Sequence, residues 1–553
     1  MKTVCKSMFT SCLAGMFILV AVATSFAQSD PKPAVVISVA PVKEQMSDIN
    51  YLIDASGFGA AKFFFKTQIK YFTNGIDRTR PAGALLYFEG DNPAPSKTVI
   101  FLPLKDIEDF LDTLSNTAEI DDGDDVIKIL PRNGDTMYAV EKEGGEEGGY
   151  LFITLKEESL EDLPEDPQAM LGDMPSRYNL GAHVYGSRIP EELRETAIEQ
   201  IKDGYIDSLQ NLGTDPDQID QQIADFEEQI KAFEDIDELV VGMVADEESH
   251  KMAMEFTITG KPGSSAAKAY EGFVSPEPTR FAGFMSDAAA MDYSMCFDVN
   301  TDDADKIRPQ MDGLIESMMT ELDNDGDFDE EEMDTIRSAA VQIAEVVEET
   351  FKEGRIDTGG QLLMGENDFN FVAGGQVSDP KKVESAVKEM IELLGKRAAD
   401  AFEFNLDFAK HNGVNMHEII IKVPEDEEEL QDFIGSEVVL ILGIGEKDVF
   451  LAAGKDPMDA LKDAMAKEAK APEFPVIYNV RIIPILEYAA STTGQPMIDG
   501  LIEKLQEVGR DKITVYSKGI ENGLFTRMEM EDGPLSLIEG LVQGVGMGGG
   551  PDF

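Results

Sequence analysis

Apolar and polar positions fall into short paired runs along this chain, and the pairs return in a fixed order. In ALLYFEGDNPAPSKTVIFLPL (84–104), two apolar runs flank a cluster of Gly, Asn and Pro, the pattern of a β-hairpin. The pattern recurs in ELVVGMVADEESHKMAMEFTITG (238–260), QLLMGENDFNFVAGGQV (361–377) and KITVYSKGIENGLFTRMEME (512–531). Each of these hairpins follows a strand and a stretch of helical spacing. The four openings are PAVVISVAPV (33–42), SRYNLGAHVYGSRIP (176–190), TRFAGFMSDAAAMDYSMCFDV (279–299) and PVIYNVRIIPILEYA (475–489). A helix follows each hairpin, as in DPKKVESAVKEMIELL after the third. Two further hairpin-then-helix stretches, at 136–163 and 438–464, lie between the first and second copies and between the third and fourth.

This order predicts an α+β fold of duplicated strand–helix–hairpin–helix units. A lone hairpin cannot bury its own face, so the hairpins are expected to join extended antiparallel sheets with helices packed on one face. The expected division is an N-terminal half over 28–275, a C-terminal half over 276–543 and a flexible glycine-rich tail, GVGMGGGPDF, over 544–553. Residues 1–27 read as a signal peptide. Lys2 and Lys6 open it, an apolar run follows, and small residues at Ser25 and Ala27 mark cleavage before Gln28. The expected location is therefore periplasmic, cell-surface or extracellular, and no later segment is long enough to span a bilayer.

Charge changes the picture more than hydropathy does. The chain carries 107 acidic against 47 basic residues, a formal net charge of −60. Loss of Lys2 and Lys6 with the leader would take it near −62. Such a field excludes nucleic acid as a partner, is expected to repel anionic membranes, and attracts calcium or other divalent cations. Cys5 and Cys12 lie in the leader, so Cys296 stands alone and no internal disulfide is expected.

The densest chemistry is ELDNDGDFDEEEM (321–333). Calcium takes six to eight oxygens, and a twelve-position helix–loop–helix supplies them from positions 1, 3, 5, 9 and 12, with a backbone carbonyl at 7 and glycine at 6. On that frame Glu321, Asp323, Asp325, Asp327, Asp329 and Glu332 fall at positions 1, 3, 5, 7, 9 and 12, and Gly326 at 6. Ile307, Met311, Leu314, Ile315 and Met318 are expected to line one face of the incoming helix, and Met333, Ile336, Ala340, Ile343 and Val347 one face of the outgoing helix. The stretch resembles a single degenerate EF-hand, with the helix–loop–helix over 304–353. That resemblance implies a calcium site made of the six carboxylates. It departs from the family at Glu321, where Asp is usual, and at Phe328, where an aliphatic residue is usual. No second loop pairs with it, and the nearest stretch, DVNTDDADKIRP (298–309), reads as an N-cap. A single site starting on Glu321 implies weak affinity, with a Kd of about 10⁻⁴ to 10⁻³ M.

No enzyme signature accompanies the loop. His183, His250, His411 and His417 form no zinc pattern, and no HExxH occurs. Ser265 and Lys268 share the spacing of a Ser–Lys pair, but the motifs that accompany such a pair are missing, and Ser264 or Ser265 reads as a helix N-cap. The sequence thus describes an exported, acidic, non-enzymatic binding or structural protein with one calcium site. Its rivals are a carrier of an apolar or lipid-like ligand in a sheet–helix groove, and a hydrolase with an unrecognised site.

Overall fold

The computed structural model describes residues 32–537, except 60–61, 91–93, 124, 133, 143–147, 212–222, 224–233, 274–277, 302–303, 326–327, 366–367, 399, 425–430, 432–433 and 494–495. The expected leader and the glycine-rich tail lie outside the described residues. The chain divides between Lys261 and Pro262 into two compact units. Both are α+β, and every strand pairing within each unit is antiparallel.

In the first unit the strands are β1 (Val35–Val39), β2 (Ala82–Tyr87), β3 (Lys97–Pro103), β4 (Ala118–Asp122), β5 (Ile127–Pro131), β6 (Met137–Lys142), β7 (Tyr150–Thr154), β8 (Leu180–Tyr185), β9 (Ile236–Asp246) and β10 (Lys251–Gly260). They pair in the order β4-β5-β6-β7-β3-β2-β1-β8-β9-β10. The helices are α1 (Val42–Ala55), α2 (Lys62–Phe72), α3 (Ile107–Leu114), the single turn α4 (Met174–Arg177) and α5 (Glu191–Asn211). The middle of the sheet is covered on both faces. Every residue of β7, YLFIT, is buried, as a continuous apolar run requires. Tyr150 and Phe152 pack with Phe101, Leu171, Met174 and Tyr178 on one face. Leu151 and Ile153 pack with Phe110 of α3 on the other. The expectation of helices on one face alone therefore fails in this unit. A strand with large apolar side chains on both faces has no side to leave in water, since each one buried contributes about 1.5–3 kcal/mol.

In the second unit the strands are β11 (Met291–Asp298), β12 (Arg355–Gly365), β13 (Asp368–Gln376), β14 (Phe402–His411), β15 (Val414–Lys422), β16 (Glu437–Ile444), β17 (Asp448–Gly454), β18 (Val476–Arg481), β19 (Lys512–Ile520) and β20 (Gly523–Glu531). Their order is β14-β15-β16-β17-β13-β12-β11-β18-β19-β20, the same sequence of steps as in the first unit. The helices are α6 (Ser265–Tyr270), α7 (Ala304–Asp325), α8 (Glu330–Lys352), α9 (Pro380–Arg397), α10 (Pro457–Met465), α11 (Ile482–Thr493), α12 (Pro496–Val508) and α13 (Asp532–Ser536). Ser264 caps α6, its hydroxyl accepting the Ala267 N–H at 3.2 Å, as the sequence predicts. A core of Phe281, Phe284, Val372, Met416, Ile441, Phe450 and Leu461 fills one face of the sheet.

Both units seat an aromatic ring on two glycines that face each other across neighbouring strands. In the first, Gly181 pairs with Gly242, and Tyr178 lies over them so closely that a Cβ on Gly242 would sit 2.2 Å from the ring. In the second, Gly359 pairs with Gly374 beneath Phe281. The first strand of each unit also buries a serine hydroxyl without a hydrogen-bond partner, Ser38 opposite Gly83 and Ser294 opposite Gly359. Among the described residues no helix is long and apolar enough to cross a membrane.

Candidate functional site in the helical layer of the second unit

Helices α7 and α8 form the expected helix–loop–helix, and α9 packs beside α8. Their shared core is Ile315, Met319, Ile336, Ala344 and Leu393, with Met311, Leu322, Phe328, Met333 and Ala340 against it. The expected inner faces are corrected at three positions. Leu314, Met318 and Ile343 are 64%, 37% and 38% exposed. The true seam of α7 runs through 311, 315, 319 and 322, because this spacing keeps a side chain over each turn of α8.

The six expected calcium ligands fall in three places. Glu321 and Asp323 lie within α7, which continues to Asp325, and both are exposed. Residues two apart on a helix do not share a face, so Glu321 and Asp323 diverge. Asp325 ends α7 with its side chain outside the described residues, and Asp327 lies outside them altogether. Asp329 and Glu332 are brought together. The Asp329 carboxylate accepts the Glu332 N–H, and Glu332 accepts the Asp329 N–H, each at 2.9 Å. This reciprocal cap satisfies two free N–H groups at the start of α8.

A cation already sits at this end of the loop. The Arg397 guanidinium, in the last turn of α9, donates to Glu332 Oε2 at 3.0 Å and lies 4.3 Å from the centre of the Phe328 ring. Phe328 thus anchors the loop in the helical core and carries the arginine on its face. Other basic residues lace the same acidic layer. Arg308 reaches Asp312 at 2.8 Å and Glu345 and Glu348 at 3.8 Å, and Lys382 reaches Glu345 at 2.5 Å. The Lys382 hydrogen bond draws the Glu345 carboxyl below its ordinary range.

Helix α9 also joins a second cluster. Glu384 at its start, Asp407 of β14 and His417 of β15 bring their ligand atoms within 4.8 Å of one another, the one such group of three among the described residues. His417 is 1% exposed. It faces an irregularity in β14, where the register passes from Asn405 opposite Glu418 to Ala409 opposite Met416. Residues 406–408 therefore bulge out, with Asp407 at φ 55°, and the imidazole fills the space behind them. The Asp407 N–H donates to His417 Nδ1 at 3.1 Å, and Nε2 lies 3.2 Å from Glu384 Oε1. Nδ1 is an acceptor in this arrangement, so Nε2 carries the proton and donates it to Glu384. Lys388 also donates to Glu384 Oε1, at 2.6 Å, and Asn415 donates to the Asp407 carboxylate and holds it below its ordinary range. Both ring nitrogens are engaged and a lysine faces the inner carboxylate. A metal ion at Nε2 would need the ring proton on Nδ1, against the Asp407 N–H. The cluster is thus satisfied as it stands, and it holds the bulge closed.

The sequence gives no hint of this cluster, because its three members come from a helix and two strands and share no spacing. Elsewhere, His183 lies 3.1 Å from Glu238 and stacks on Tyr185, and burial pushes its pKa below the ordinary value. Burial pushes the Cys296 thiol up to about 11, so it stays protonated at neutral pH. Compared with known proteins, the chain matches no family, no curated protein and no solved structure.

Proposed function

We propose that this is an exported, non-enzymatic binding or structural protein built from two copies of one ancestral α+β unit, with calcium as its ligand at the acidic helix–loop–helix. The copied strand order and the serine–glycine pair in each unit support the duplication. The pairing of Asp329 and Glu332 under the Arg397 guanidinium carries the calcium reading. Positions 9 and 12 of the loop already sit side by side, and Glu332 at position 12 already draws a cation between α8 and α9. Calcium would take Glu332 from Arg397 and loosen the last turn of α7 so that Glu321, Asp323 and Asp325 could turn inward. Both steps cost free energy, which agrees with a weak site of Kd about 10⁻⁴ to 10⁻³ M. The role that follows is stabilisation of the helical layer, since an ion relieves repulsion among crowded carboxylates.

Calorimetric titration of the full chain with calcium tests this. The native protein should give saturable heat, Asp325→Ala with Glu332→Ala should give none, and Arg397→Ala should bind several-fold more tightly because the competing cation is gone. Equal heats in the native protein and the double variant would reduce the loop to a capped acidic turn.

A further inference from the structure

Helix α2, KFFFKTQIKYF, turns aromatic rings outward beside lysines. Phe63, Lys66, Thr67, Lys70 and Tyr71 are spaced i, i+3, i+4, i+7 and i+8 along one side, and all five are exposed. Phe63 is 83% exposed and its neighbour Phe64 42%, the largest apolar exposure on any one helix among the described residues. No residue of the helix is buried. The side toward the protein carries only half-buried Phe65, Gln68 and Ile69. Single exposed apolar residues need no explanation, but two adjacent outward phenylalanines do.

The charge of this helix is as unusual as its aromatics. It has three lysines and no acid in a chain with a formal charge of −60. Lys62 pairs with Asp54, whereas Lys66 and Lys70 make no ion pair among the described residues. An acidic protein of this kind has carboxylates to spare for two lysines, yet among the described residues none pairs with these two. Just beyond the helix, Arg78 donates to the Lys70 carbonyl at 3.1 Å and adds a further positive charge.

We infer that α2 is an interfacial helix that rests on an anionic phospholipid surface. Phe63 and Phe64 would enter the boundary between headgroups and acyl chains, while Lys66 and Lys70 reach the lipid phosphates. The net charge of the whole molecule does not prevent this. Screening confines charge effects to about 8–10 Å at physiological salt, so the lysines of this helix, which carries no acid of its own, govern the interaction at contact. A second copy of the chain fits less well. One face of an 11-residue helix, about 16 Å long, is small beside the about 800 Å² that each partner of a stable protein pair buries. The inference is independent of calcium at the acidic loop.

The test is co-sedimentation of the full chain with vesicles containing phosphatidylglycerol, in EDTA so that no divalent ion bridges acidic protein to lipid. The native protein should bind these vesicles and pass over pure phosphatidylcholine. Lys66→Glu with Lys70→Glu, and separately Phe63→Ser with Phe64→Ser, should each weaken binding about tenfold or more without lowering the melting temperature. The chain has no tryptophan, so Phe63→Trp gives one unambiguous signal, a blue shift of its fluorescence on vesicles. No binding by the native protein, binding untouched by both variants, or an unshifted indole emission from bound Phe63→Trp protein would overturn the inference. So would loss of a protein dimer, in place of vesicle binding, on changing the same residues.

Discussion

At the scale of single residues, Gly242 shows how closely a sheet and its covering ring must meet. Its missing Cβ is the space that Tyr178 occupies, and Tyr178 is 2% exposed. Gly242→Ala should destabilise the protein by about 1–3 kcal/mol through overpacking. Gly204, on an exposed turn of α5 with nothing within 4 Å, should behave oppositely, and its change to Ala should stabilise by about 0.5–1 kcal/mol. Urea denaturation of both variants checks the pair, and a neutral Gly242→Ala would mean that the ring moves aside at no cost. Asp292 makes a different demand. It is 6% exposed, accepts the Asn479 side-chain N–H at 2.6 Å, and faces Gln361, whose buried Oε1 has no partner. Burial raises its pKa above the ordinary 3.8. The folded protein therefore holds this proton to higher pH than the unfolded chain does. The stability it contributes is complete below pH 3.8 and is lost as pH rises through the raised value. Asn mimics the protonated form and offers an N–H to Gln361, a hydrogen bond of about 1 kcal/mol. Asp292→Asn should raise the melting temperature at pH 7, with a smaller gain at pH 4. A loss at pH 7 that shrinks at pH 4 would mean that the charge is needed.

At the scale of elements, the caps of the acidic loop should behave as one device. Asp329→Ala removes the N-cap of α8 and should cost about 1 kcal/mol. Arg397→Ala removes the Glu332 bond and the contact with Phe328, at a similar cost of about 1 kcal/mol. The two changes meet at Glu332, whose backbone N–H is held by Asp329 and whose carboxylate is held by Arg397, so the double variant should fall short of the sum, and strict additivity in thermal melts would separate them. How much of this was legible in the chain differs from element to element. The hairpins were, because their signals are local. Asn412 and Gly413, both at positive φ, close β14 to β15 in two residues, as an Asn-Gly pair between strands predicts. The α7–α8 pair was legible from its period, but its seam was misjudged by one step because Leu314 and Met319 are equally apolar in sequence. The bulge at 406–408 was hidden by a regular pattern. Phe402, Phe404, Leu406 and Phe408 alternate as in an unbroken strand, yet Leu406 and Phe408 are 42% and 40% exposed. What breaks the strand is a histidine on its neighbour and a glutamate on a helix, and no alternation records a contact across strands. Arg397 was overlooked for the same reason, being 65 residues from the carboxylate it holds.

At the scale of the whole molecule, the question is whether calcium acts at a place or over a surface. A chain with 107 acidic and 47 basic residues attracts divalent cations everywhere, and a diffuse cation layer would relieve repulsion in both units alike. A coordinated ion acts differently. It would tie the start of α8 to the end of α7 and release Arg397, so its effects would stay within the helical layer of the second unit. Hydrogen exchange read by mass spectrometry, with millimolar calcium against EDTA, distinguishes the two. Amides around 318–335 should change most, with smaller changes at the end of α9 near Arg397, while β2, β3 and β7 of the first unit exchange as before. Magnesium at the same concentration should do much less, because it is reluctant to give up its water for a ring of carboxylates. Protection spread over both units, and matched by magnesium, would assign the acidic loop to the general surface charge and leave its two paired carboxylates with the work of capping a helix.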